Sequence, residues 1–285
     1  GAYVLSMIRG EHQSKGGSSP IIRFILGFFV MIGALMFLGC PLRMILRLGG
    51  GDLNALFGIA GFAGGVGIGT IFLKRGYSLQ RTYALSKLES AIMPAIQVGL
   101  LVLVVTAPAF IFFSQKGPGA MHAPWLISLA AGLVVGGLSQ YSRLCTVGGF
   151  RDLFLFKKSI LIFGYLAVLV GVFVVNISFG NFHLGFENQP VSHTDGLWNF
   201  LGMALAGFCS VLLGGCPLRQ LIMTGEGNSD SAVTVLGLAA GAAFAHNFGL
   251  AASGAGPTLN GQIAVGVGFV VALIIAVLNT KRSNA

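Results

Sequence analysis

Gly39-Cys40-Pro41-Leu42-Arg43 and Gly215-Cys216-Pro217-Leu218-Arg219 are one pentapeptide written twice, 176 positions apart, in a chain of 285 residues that holds only four cysteines. Cysteine directly before proline places the sulfur at a helix N-cap, with Pro at the first helical position. The N–H that proline lacks is not needed there, and the free N–H groups of the first turn favour an anion in front of them. The same ungapped offset pairs Phe24 with Phe200, Gly49 with Gly225, Gly51 with Gly227, Gly61 with Gly237, Ala63 with Ala239 and Gly65 with Gly241. The chain therefore carries an internal repeat, with a first copy over residues 1–124 and a second over 125–285.

Composition fixes the setting of that repeat. With 55% hydrophobic residues, 9% charged residues and 44 glycines, and a mean hydropathy of +0.86, an ordinary soluble domain is excluded. The reading is an all-α, polytopic helical membrane protein, in which glycines scattered through apolar runs allow close helix packing. Apolar runs near 24–38, 53–73, 91–114, 125–142, 159–178, 197–213, 231–250 and 261–279 give eight spans. The intervening segments 41–50, 77–90, 146–157 and 217–224 are too short to cross, and are expected as re-entrant half-helices or turns covered by protein or a water-filled cavity.

Orientation follows from the basic residues. Arg9, Lys15, Arg23, Lys74, Arg75, Arg81, Lys87, Arg143, Arg151, Lys157, Lys158, Lys281 and Arg282 all fall on one side of an eight-span topology. The segments 180–196 and 251–260 have no Lys or Arg, and 115–124 has only Lys116. The positive-inside rule makes the basic side cytoplasmic. Five crossings separate Cys40 from Cys216, and an odd number inverts the second copy, as in the inverted repeats of transporters. Cys40 is then expected to approach the site from outside and Cys216 from inside. The net charge of +9 serves membrane orientation and the attraction of anions rather than a nucleic-acid partner.

A third cysteine closes the fourth span in Ser142-Arg143-Leu144-Cys145-Thr146, followed by Gly148-Gly149-Phe150-Arg151-Asp152. Lys74-Arg75-Gly76-Tyr77-Ser78 is a weaker echo of it. At the repeat offset, Ala2 and Tyr3 align with the outer end of the fifth span, so the first copy lacks a counterpart of spans four and five. The chain is therefore expected to be a fragment, with an open apolar groove beside its first span.

The two Gly-Cys-Pro-Leu-Arg motifs, with Ser-Arg-Leu-Cys-Thr-Val-Gly-Gly-Phe-Arg-Asp between them, resemble the YeeE/YedE family of bacterial sulfur-transport membrane proteins. The resemblance runs from about Pro20 onward and is closest to the YedE branch, often described as selenium transporters. It implies a multi-pass protein of the bacterial inner membrane, importing thiosulfate, another small sulfur anion or a selenium species. In the thiosulfate-transporting members, an hourglass of inverted repeats passes the anion inward by thiol hydrogen bonds, a role that falls here on Cys40, Cys145 and Cys216. It also implies a motif cysteine upstream of this chain, and a TusA-like cytoplasmic sulfur carrier protein is the corresponding partner for the imported sulfur.

The residues themselves support transport over its rivals. A thiol is a weak donor suited to a soft anion that must also leave. Arg43 and Arg219, three residues beyond their cysteines, and Arg143 add positive potential. A soft-metal transporter would use the same cysteines, but the neighbouring arginines and the scarcity of acidic ligands count against it. A membrane persulfide or thiol-exchange enzyme would need a base, and no histidine or carboxylate stands beside a motif cysteine. No enzyme activity and no cofactor are expected. Cys209, opposite Gly33 in the repeat, reads as packing, His246 with Asn247 as a helix-to-helix hydrogen bond, and His183 and His193 as loop surface.

Overall fold

A computed structural model describes residues 1–80, 82–107, 123–157 and 160–280, together with 110, 112 and 115. Arg81, Lys116, Lys158, Lys281 and Arg282, used in the orientation argument, lie outside the described residues, as does most of the end of the span placed at 91–114. The elements are α1 (Ala2–Ile8), β1 (Lys15–Gly16), α2 (Pro20–Phe37), α3 (Pro41–Gly49), α4 (Asn54–Lys74), β2 (Tyr83–Ala84) and α5 (Lys87–Thr106). There follow α6 (Trp125–Ser142), α7 (Thr146–Phe156), α8 (Ile160–Ser178), α9 (Gly196–Leu213), α10 (Pro217–Gly225), α11 (Ser229–Asn247) and α12 (Leu259–Leu278). Among the described residues, 7 helical stretches are long and apolar enough to cross a membrane. The eighth expected span corresponds to α11, a 19-residue helix whose Ala, Gly and Ser content leaves it less apolar than the others.

Three of the four short segments are helices: α3, α7 and α10. The fourth, 77–90, is not. It carries β2, which pairs antiparallel with β1. It turns helical only at Lys87, where a capping box forms: Ser86 N–H donates to Glu89 Oε2 at 2.9 Å and Glu89 N–H to Ser86 Oγ at 3.3 Å. Reciprocal capping of this kind fixes a helix start to one residue.

The chain forms two compact units. One comprises Gly1–Gly17, Thr82–Arg143 and Leu221–Ala232, the other Ser18–Arg81, Leu144–Gln220 and Val233–Ala285. In the first, α5 and α6 carry exposed apolar faces, including Ile92, Val98, Val102, Leu133, Val134 and Leu138, as helices bounded by lipid do. The second contains α2, α3, α4, α9, the start of α10, most of α11 and all four cysteines.

In that second unit the repeat is visible element by element. Shifted by 176 positions, α2 coincides with α9 and α3 with α10 at both ends. A Cβ at Gly61 or Gly65 of α4 would stand 2.0 Å from the carbonyl oxygen of Phe200 or Ala204 in α9. The equivalent Gly237 and Gly241 of α11 meet the Phe24 and Phe28 carbonyls of α2, at 2.2 and 2.5 Å from the same imagined atom. Each copy thus seats its third helix on the other copy's first, in the same register. The contact residues advance together in both pairs, so these pairs are parallel. Between α2 and α9 they run the opposite way: Gly33 packs against both Gly202 and Ala206, whereas Met36, further along α2, packs against the earlier of the two, Gly202. Two copies that exchange helices reciprocally while their long helices run antiparallel are inverted, as the odd crossing count requires.

Among the described residues, the groove expected beside the first span is not found. From residue 25 to residue 38 nothing in α2 or its C-cap is exposed, because α9, α11 and α12 of the same chain cover it.

Candidate functional site

All three motif cysteines sit in one kind of turn. α2 ends on Leu38 in the left-handed conformation (φ 64°), and two residues later Cys40 caps α3. α6 ends on Arg143 (φ 54°) with Cys145 capping α7, and α9 ends on Gly214 (φ 82°) with Cys216 directly before α10. The left-handed residue closes one helix by turning its last carbonyls inward. Pro41, Thr146 or Pro217 starts the next, so the sulfur sits at the break between two helices. In both pentapeptides the preceding glycine makes room for the arginine stem: a Cβ at Gly39 would lie 2.9 Å from Arg43 Cδ, and at Gly215 3.4 Å from Arg219 Cγ.

Two of the tips meet. The Cys145 and Cys216 thiols lie within hydrogen-bonding reach of each other. Gly148 N–H donates to Cys145 Sγ at 3.3 Å, and Cys216 N–H faces the same sulfur. The Cys216 sulfur faces the N–H groups of Arg219 and Thr146, and the Arg219 guanidinium bears on Cys145 through its charge. Both sulfurs thus rest in the positive ends of two short helices, where partial charge on unpaired N–H groups stabilises an anion. Phe37, Met44, Phe62, Met203 and Val211 close around the pair, and Cys216 is 1% exposed.

Tyr165 of α8 joins the third tip to these two. Thr146 Oγ1 donates to its hydroxyl at 3.0 Å, and the hydroxyl donates to the Pro41 carbonyl. Thr146 and Pro41 are the first residues of α7 and α3, and the phenol lies within electrostatic reach of Cys40, Cys145 and Cys216.

Cys40 is half-buried and lines a cavity of about 720 Å³ together with Arg43, Arg47 and Asp52, opposite Asn176, Asn181, His183 and Gln189. Arg47 is held from all sides. Its Nε donates to Asp52 Oδ2 at 2.7 Å, its Nη1 to the Phe37 carbonyl and its Nη2 to Ser192 Oγ, each at 2.5 Å. Its guanidinium lies 4.0 Å from the Phe37 ring centre. Asp52 Oδ1 accepts from Asn54 N–H and Nδ2, each at 2.9 Å. With Arg47 neutralised by Asp52, Arg43 gives the cavity its net positive charge.

The structure therefore brings together Cys40, Cys145, Cys216, Arg43 and Arg219 in one unit. It uses Arg143 differently: the residue supplies the left-handed turn before Cys145, and its Nη2 pairs with Glu11 at 2.9 Å. Cys209 is fully buried in the apolar core, as packing requires, and His183 is exposed in its loop. His193 is not loop surface. It is 2% exposed and its Nε2 donates to the Met36 carbonyl at 2.8 Å, and burial holds its pKa below the ordinary imidazole value. His246 is exposed, and the Asn247 amide donates to Ala243 of its own helix at 2.7 Å, so neither makes the expected helix-to-helix bond. Sequence reasoning passed over Arg47, Asp52 and Tyr165. Arg43 and Arg47 are four residues apart and so share a helix face, which with Asp52 close behind is a readable signal of a buried charge. Tyr165 had none, being one aromatic in an apolar run.

Fold and site define a multi-pass helical membrane protein whose short helices carry thiols to its interior. Residues 141–281 match the family described as sulphur transport, so the half of the chain with Cys145 and Cys216 is similar to a family of sulfur transporters. The match agrees with the resemblance carried by the cysteine motifs and does not distinguish the YedE branch. No curated protein matches the chain.

Proposed function

We propose that the protein imports a small sulfur-containing anion of the thiosulfate type, or the corresponding selenium species, across the inner membrane of a bacterial cell. The anion enters the cavity at Cys40 and Arg43 and moves inward to the Cys145 and Cys216 thiols. It is then released towards a cytoplasmic acceptor such as a TusA-like sulfur carrier protein. The observation that carries this reading is the convergence of three cysteines from distant parts of the chain, each at a helix N-terminus: one on a positively charged cavity, two in contact behind it. Thiols and backbone N–H groups hold a soft anion weakly enough for it to move on. A soft-metal transporter would draw on the same thiols, and the positive charge of Arg43 beside Cys40 and of Arg219 near Cys145 counts against a cation there.

Uptake of labelled thiosulfate and selenite by cells producing the full-length protein tests the proposal. Cys40→Ala, Cys145→Ala and Cys216→Ala are each expected to abolish uptake in well-folded protein, while Cys209→Ala, at a packing position, transports normally. Full uptake by the well-expressed Cys40 and Cys216 variants overturns it. A thiol-exchange enzyme draws on the same Cys145–Cys216 contact, and would instead show thiol-dependent turnover of a persulfide without net movement of the anion.

A further inference from the structure

The path described above has a break in it. Cys40 opens on the cavity, whereas Cys145 and Cys216 are packed among apolar side chains and do not line it. Something separates the first thiol from the other two. Only 6% of Tyr165 is exposed; its hydroxyl is bonded on one side to the first residue of α7 and on the other to the first residue of α3, and all three sulfurs lie within its electrostatic reach. It is hydrogen-bonded to both the helix that Cys40 caps and the helix that Cys145 caps.

We infer that Tyr165 is the positioning residue of the barrier between the cavity and the buried thiol pair, its hydroxyl clamping the N-termini of α3 and α7 together. The inference rests on the proposed thiol path for its meaning but not for its test. The physics is local. The Pro41 carbonyl and the Thr146 hydroxyl are buried polar groups, and each finds in the phenol a partner that an apolar ring cannot replace. Removing the hydroxyl while keeping the ring leaves the buried Thr146 hydroxyl without its acceptor. It also takes from the Pro41 carbonyl, already paired within its own helix, the bond that ties it to α8. The two helix starts are then no longer held together, and water can reach the gap. That separation opens the way from Cys40 to Cys145 and Cys216. Arg43 and Arg47, on the cavity side, do not depend on it.

The test is the rate at which each cysteine reacts with a small anionic thiol reagent, sulfonatoethyl methanethiosulfonate, in purified full-length protein in lipid nanodiscs, followed site by site by mass spectrometry. In the unaltered protein Cys40 reacts quickly and Cys145 and Cys216 slowly. Tyr165→Phe is expected to raise the Cys145 and Cys216 rates at least tenfold, with Cys40 unchanged and Cys209 still unreactive. Cys209 is fully buried elsewhere in the core, so it reports general loosening. Thr146→Val, which removes the donor to Tyr165 but keeps a side chain of similar shape, is expected to give the same selective pattern. No rise at the pair in either variant overturns the clamp, and so does a rise in which Cys209 joins the pair in both. If the selective rise is seen but labelled thiosulfate and selenite are not taken up, the clamp stands and the sulfur-anion reading falls. Uptake without the selective rise leaves the reading and removes the clamp.

Discussion

The ion pair of Arg47 and Asp52 is one place where the two copies differ in charge. Their side chains are 5% and 3% exposed. At the repeat offset the second copy carries Met223 and Asn228, so charge was either added to one half or lost from the other. Breaking such a pair by removing one partner strands a buried charge and costs about 3–5 kcal/mol, whereas replacing both with neutral groups is close to neutral. Asp52→Asn is therefore expected to lower the apparent stability of the purified protein by several kcal/mol in chemical denaturation. Arg47→Met combined with Asp52→Asn, which copies the second repeat, should recover most of that loss. Equal losses in the single and double variants would mean that Arg47 is held by Phe37 and Ser192 rather than by its charge partner. The double variant also leaves Arg43 as the sole arginine on the cavity wall, and so separates electrostatic attraction of the anion from structural support of the loop at Ser192.

At the level of elements, two devices repeat. One is the break in which a left-handed residue, a linker and a cysteine-capped short helix follow one another after α2, α6 and α9. The other is the glycine seam, where Gly61 and Gly65 of α4, and Gly237 and Gly241 of α11, let a backbone carbonyl approach within van der Waals contact of the helix axis. Lipid supplies no hydrophobic drive for helix association, so close approach and dispersion contacts do the holding. A methyl group at Gly65 or Gly241 must displace backbone, and overpacking of this kind costs about 1–3 kcal/mol. Gly65→Ala and Gly241→Ala are each expected to reduce folded yield and thermal unfolding temperature, and to similar extents because the two seams are equivalent. Gly132→Ala in α6, where an added Cβ meets nothing within 4 Å, is expected to be silent. A silent Gly65→Ala would remove the seam as the basis of the α4–α9 contact.

For the molecule as a whole, inversion of the repeat makes a claim about sidedness. If Glu187 lies outside and Ser78 inside, as the positive-inside orientation requires, an impermeant thiol reagent on intact cells should label Glu187→Cys at once and Ser78→Cys only after permeabilisation, both in a Cys40→Ala background. The opposite pattern would reverse the topology and with it the direction of the path. The membrane setting, the repeat, its inversion and the three cysteine turns were legible in the sequence because each is local or periodic. Hydropathy runs, a fixed offset and Cys-Pro at a helix start need no knowledge of distant contacts. For segment 77–90 the sequence left a half-helix or a turn open, and the pairing of Tyr83–Ala84 with Lys15–Gly16 is not marked by any local signal. The contact of Cys145 with Cys216, the clamp at Tyr165, the burial of His193 and the coverage of α2 by its own chain were decided only by tertiary structure. Each depends on which distant helices pack together, and in a chain so rich in interchangeable apolar residues, composition and spacing do not encode that choice. It is made by the few places where glycine lets two backbones touch.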